Sequence, residues 1–90
     1  MTYVHIDTAA IRNAGQDFDE VAQILLKGIN AAQLAQEVVE SNYVTEIKAQ
    51  EVKSALNDWL DFAPSFRIEV SNLAADLMQV AATYEQIDQA

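Results

Sequence analysis

An all-α fold, an antiparallel hairpin of two long helices, is what this chain predicts, on three observations. Only 2 Gly and 1 Pro punctuate its 90 residues, far too few for the frequent turns of an all-β domain. Ala, Gln, Glu and Leu dominate, and all four favour helix. Apolar residues recur every seven positions along two stretches, separated by one short break rich in polar and β-branched residues.

The opening Tyr3-Val4-His5-Ile6 reads as extended, after which Asp7 or Thr8 offers an N-cap oxygen. Helix one then runs over about 8–40. Ile11, Phe18, Leu25, Ala32 and Val39 recur as one stripe, with Ala14, Val21, Gly28 and Ala35 between them, which together predict a seam of small and large residues. Gly15 and Gly28 each cost the helix about 1 kcal/mol relative to Ala. Their expected compensation is close approach of a facing helix.

Ser41-Asn42-Tyr43-Val44-Thr45 is the predicted turn, with Thr45 as cap of the next helix and Lys48 where a capping box would place Glu. Helix two follows over about 46–88. Leu56, Ala63, Val70, Leu77 and Tyr84 alternate there with Trp59, Phe66, Leu73, Val80 and Ile87. The repeat passes through Pro64 without a slip, although proline lacks the amide that would bond the carbonyl of Leu60. One bent helix is therefore expected rather than two. The whole chain, 1–90, makes a single domain of this size.

Two helices bury only one seam, and more apolar surface is present than one seam covers. Ile24, Leu34 and Val38 lie off the first helix's stripe, and Leu60, Phe62, Ile68 and Met78 lie off the second's. Trp59, the one tryptophan, suits a core or interface anchor, and Phe66 stands beside it on the seam. Contiguous exposed apolar surface marks an interface. Pairing with an identical or related hairpin into a four-helix bundle would cover it.

Composition narrows the function. Five basic against 14 acidic residues give a formal charge of −9, which repels nucleic-acid phosphates and anionic lipid headgroups. With no cysteine there is no disulfide, thiolate zinc site or cysteine nucleophile. No run of apolar residues reaches the length of a membrane span, and the start lacks the basic-then-apolar pattern of a signal peptide.

Enzyme constellations are missing from the sequence. The single histidine, His5, stands before the first helix without a ligand cluster. Glu37 and Glu40 occupy adjacent turns like half of a di-iron carboxylate site, but no Glu-x-x-His pair accompanies them. Asp17, Asp19 and Glu20 read as a solvated face without EF-hand spacing. No phosphate-binding glycine loop and no activated serine is present. A non-enzymatic protein without cofactor or metal is the expectation.

The last turns of helix two are more specific. Tyr84 and Asp88 are spaced by four, on one helix face. Asp76, Glu85 and Asp88 follow Arg67 with no further Lys or Arg. Each acidic group near a helix C-terminus opposes the macrodipole by about 0.3–1 kcal/mol. An arrangement that works against local stability is better explained by use than by folding.

With these residues the chain resembles the EspC-like and WXG-type (ESAT-like) family of small helical hairpins exported by type VII (ESX) secretion. The resemblance rests on Tyr84-x-x-x-Asp88 after Asn72-Leu73-Ala74-Ala75-Asp76-Leu77 and Val80-Ala81-Ala82, and on the opening Val4-His5-Ile6-Asp7 with Ala10-Ile11. It covers both ends and the architecture. One departure stands out: the WXG subgroup carries Trp-x-Gly in its turn, where this chain has Ser41 to Thr45, and Trp59 lies too far into helix two to replace it. The resemblance implies a protein that is cytoplasmic before export and then secreted without a cleavable signal. It also implies a homodimeric or heterodimeric hairpin partner, and Tyr84 and Asp88 as the signal read by the secretion ATPase. A cytosolic helical adaptor, or a toxin-partner module without export, is the alternative.

Overall fold

The computed structural model describes residues 6–41 and 46–89 of the chain, with side chains described over 6–40 and 48–87. It is a hairpin of two helices, α1 (Thr8–Ser41) and α2 (Glu46–Gln89), packed against each other along a rod 70 × 19 × 15 Å in extent. The extended start at Tyr3 to His5, the turn at Asn42 to Thr45 and the Thr45 cap lie outside the described residues.

Asp7 is the residue that starts α1. Its carboxylate Oδ1 accepts the Ala10 amide at 3.0 Å and its carbonyl accepts the Ile11 amide at 3.2 Å. A short acidic side chain there satisfies one of the orphan amides of the first turn and places negative charge at the positive end of the dipole. At the other break in pattern, α2 runs through Pro64 as one continuous helix. The expected single helix is what forms, and the heptad on either side of the proline stays in phase.

The buried core consists of Ala22, Ile29 and Ala32 from α1 with Ala63, Val70, Ala74 and Ala81 from α2. These positions keep one predicted stripe on each helix and move the other by one residue. Of the first predicted stripes, Ile11, Leu25, Ala32 and Val39 on α1 and Leu56, Ala63, Val70 and Leu77 on α2 face inward, buried or half-buried, whereas Phe18 and Tyr84 are exposed. Their companions, however, are Gly15, Ala22 and Ile29 on α1 and Leu60, Ala74 and Ala81 on α2. Val21, Phe66, Leu73, Val80 and Ile87, predicted to alternate into the seam, are exposed instead. The physical reason is side-chain size. On α2 the stripe that carries Ala74 and Ala81 lets two helices approach closely and pack densely, whereas Phe66, Leu73 and Val80 would hold them apart; on α1 the two candidate stripes, Gly15/Ala22/Ile29 and Ala14/Val21/Gly28/Ala35, are similar in size.

Both glycines show how close that approach is. A Cβ on Gly15 would stand 3.0 Å from Met78 Sδ and 3.2 Å from the Ala74 carbonyl oxygen. A Cβ on Gly28 would stand 3.2 Å from Cζ2 of the Trp59 ring. The two glycines thus weaken α1 as a helix while giving α2 two places to rest against it.

Candidate interaction and export site

Rotation of the seam gives the hairpin two unlike broad faces. One face carries the polar links between the helices. Arg12 donates from Nη2 to Glu85 Oε2 at 2.8 Å and from Nε to Oε1 at 3.3 Å, a bidentate fork. Gln36 donates to Asn57 Oδ1 at 2.8 Å. Met78 lies over Gly15 on this same side, beside a cleft bordered by Gln16, Asp19, Gln23 and Ser71.

The opposite face begins at the Gly28–Trp59 contact and is apolar. One heptad position of α2 supplies Val52, Trp59, Phe66, Leu73, Val80 and Ile87, of which all but the half-buried Trp59 are exposed. Phe62 flanks this row and stacks on Phe66, with ring centroids 5.1 Å apart. From α1 come Val21, Ile24 and Val38, also exposed. Ile24 at 66% and Phe62 at 57% exposure are side chains a folded monomer gains little by keeping.

The residues expected to form a partner interface therefore divide. Ile24, Val38, Phe62 and Phe66 stand exposed on the apolar face, with Trp59 half-buried at its foot. Leu34 and Ile68 are exposed too, but on the outer backs of their helices by the same heptad phase. Leu60 is half-buried at a seam position, and Met78 is half-buried on the polar face. Val21, Val52, Leu73, Val80 and Ile87 belong to the exposed face and were not among the expected interface residues. Val52 carried a readable signal, since it stands one repeat before Trp59. The heptad pattern by itself points the other four inward.

Near the end of α2, Tyr84 is 37% exposed. It borders a shallow groove with Asp76, Gln79, Val80, Thr83 and Ile87. The Thr83 hydroxyl donates back to the Gln79 carbonyl at 2.9 Å, which leaves its oxygen only as an acceptor. Glu85, one residue on, is tied to Arg12 across the hairpin, which pins these last turns to the start of α1. Asp88 lies within α2, one turn beyond Tyr84, and its side chain lies outside the described residues. No basic residue stands in the last turn of α2.

His5 lies outside the described residues, and Glu37 and Glu40 are both solvent-exposed. Among the described residues, no group of three or more His, Asp or Glu side chains is placed to hold a metal ion, and no helix is long and apolar enough to cross a membrane. Comparison with protein-family models, with curated proteins and with solved structures finds no match to this chain.

Proposed function

We propose that this chain is a non-enzymatic helical hairpin exported by, or co-secreted as a partner through, a type VII secretion system. In this reading Tyr84 and Asp88 form its C-terminal signal. The observation that carries the proposal is the Tyr84-x-x-x-Asp88 pair near the end of α2, with the tyrosine ring exposed and no basic side chain in the last turn. The resemblance of both chain ends to the EspC-like and WXG-type family supports it. Recognition rather than catalysis is the mechanism. Tyr84 supplies an amphipathic anchor and Asp88 a carboxylate for a basic site on the secretion ATPase. A second helical hairpin, identical or related, is the partner with which the protein travels. The protein is cytoplasmic before export and extracellular after it.

Fractionation of the source cells tests this. Tagged wild type is expected in the culture supernatant and a Tyr84→Ala/Asp88→Ala variant in the lysate, with a lysis marker confined to the cells and far-ultraviolet circular dichroism unchanged between the two. Both proteins outside would leave export standing and remove the motif from it. Both inside, with the native partner co-expressed, would favour a cytosolic adaptor.

A further inference from the structure

The two stripes of α2 that face α1 outlast it. Gly15 stands against Ala74, and the same number of residues back along α1 and on along α2 brings Thr8, the first residue of α1, level with Ala81. Residues 82–89 of α2 therefore run on past the start of α1. Tyr84 continues the inward stripe of Val70 and Leu77, and Asp88 that of Ala74 and Ala81. Both fall on seam positions where α1 no longer supplies a facing helix. The Tyr84 ring is accordingly 37% exposed on a stripe that is buried at Val70.

This overhanging end is weak as a helix. Glu85 and Asp88 are carboxylates three apart, on adjoining turns, and like charges at that spacing repel. Each also opposes the negative end of the helix dipole, and no basic side chain stands in the last turn to offset them.

The compensation comes from across the hairpin. Side chains on a helix lean toward its N-terminus, so on antiparallel neighbours Arg12 leans toward the end of α2 while Glu85 leans back to meet it. They close a fork of two hydrogen bonds, at 2.8 and 3.3 Å. Among the described residues this fork is the only polar link between α1 and residues 82–89. It engages Glu85, one residue after Tyr84 and three before Asp88. A guanidinium there neutralises one of the two repelling carboxylates and fixes the overhang against α1 at two points rather than one.

We infer that Arg12 is a positioning residue for the Tyr84–Asp88 signal. By holding Glu85 it keeps the overhanging turns of α2 helical, so that ring and carboxylate are presented one turn apart on one face. Arg12 acts through Glu85 rather than on the receptor. The inference rests on the proposed function for what reads the pair. It deepens that reading by making the signal a folded feature of both helices rather than a stretch of sequence.

Hydrogen exchange and export, followed on the same variants, test this. In Arg12→Gln the amides of residues 82–88 are expected to exchange about two- to fivefold faster, the range that a part-exposed ion pair supports. The difference should fade in about 1 M salt, and peptides from the centre of the hairpin should not change. Arg12→Glu sets like charges face to face, so it should exchange faster still over 82–88 and leave less protein in the culture supernatant. Arg12→Glu/Glu85→Arg rebuilds the pair with its charges exchanged and should return both readings toward wild type. Exchange that is unaltered over 82–88, or raised equally throughout the chain, overturns the inference. So does export of Arg12→Glu at the wild-type level while Tyr84→Ala/Asp88→Ala is retained, a result that leaves the export reading intact. If the exchanged pair restores slow exchange but not export, the receptor reads Glu85 itself and the positioning role falls. Wild type retained in the cells would overturn the export reading and this one with it.

Discussion

Gly15 and Gly28 look alike in sequence, and their surroundings separate them. Each replaced by Ala gains about 1 kcal/mol of helix propensity. At Gly28 the new methyl meets the edge of the half-buried Trp59 ring, which can move by a few tenths of an ångström. At Gly15 it meets the flexible end of Met78 and also the Ala74 carbonyl, a backbone group that moves only with α2. Gly28→Ala is therefore expected to raise stability by about 0.5 kcal/mol, and Gly15→Ala to fall below it by about 1 kcal/mol. Paired urea titrations measure the difference, and equal midpoints for the two variants would contradict it. The Arg12–Glu85 fork is expected to contribute less. Its side chains are 35% and 38% exposed, and ion pairs in such positions are worth about 0–1 kcal/mol and weaken with salt. Glu85→Gln should shift the midpoint slightly at low salt and hardly at all in 1 M salt.

Among the elements, α1 and α2 were legible because heptad phase, the Asp7 cap and the scarcity of Gly and Pro all point the same way. Even Pro64 left the phase undisturbed, and α2 forms through it. The orientation of each helix about its own axis was not legible to the same degree. On each helix a third heptad position beside the two predicted ones is largely apolar, interrupted by Gln36 on α1 and by Arg67 and Asp88 on α2, and periodicity alone does not say which two face inward. On α2 side-chain volume decides, as Ala81 at 0% exposure beside the exposed Val80 shows, and Ala63 on the retained stripe is likewise 0% exposed. Neither has room for a larger group, so Ala81→Leu is expected to destabilise the hairpin by about 1–3 kcal/mol, whereas Leu73→Ala, on the open face, should cost the isolated hairpin less. Thermal melts at low protein concentration check the order of the two. The Arg12–Glu85 link escaped the sequence for a different reason: its partners are 73 positions apart, and only the register of the hairpin brings them together.

Taken whole, the molecule is a rod whose two faces do different work. The polar face carries the cross-links Arg12–Glu85 and Gln36–Asn57, which fix the register of the helices more than they stabilise them. The seam is lined largely by alanine, which brings the helices close but buries little area per residue. The largest side chains, Phe62, Phe66, Leu73 and Ile24 among them, are left on the other face. A hairpin with so modest a core is expected to draw much of its stability from a second hairpin, which places dimerisation upstream of any recognition of Tyr84 and Asp88. The most direct test is the midpoint of thermal unfolding followed by circular dichroism across a hundredfold range of protein concentration. Folding coupled to pairing predicts a rise of about 3–5 °C for each tenfold increase in concentration. A midpoint that does not change across that range would show the hairpin to be complete on its own and would contradict the account.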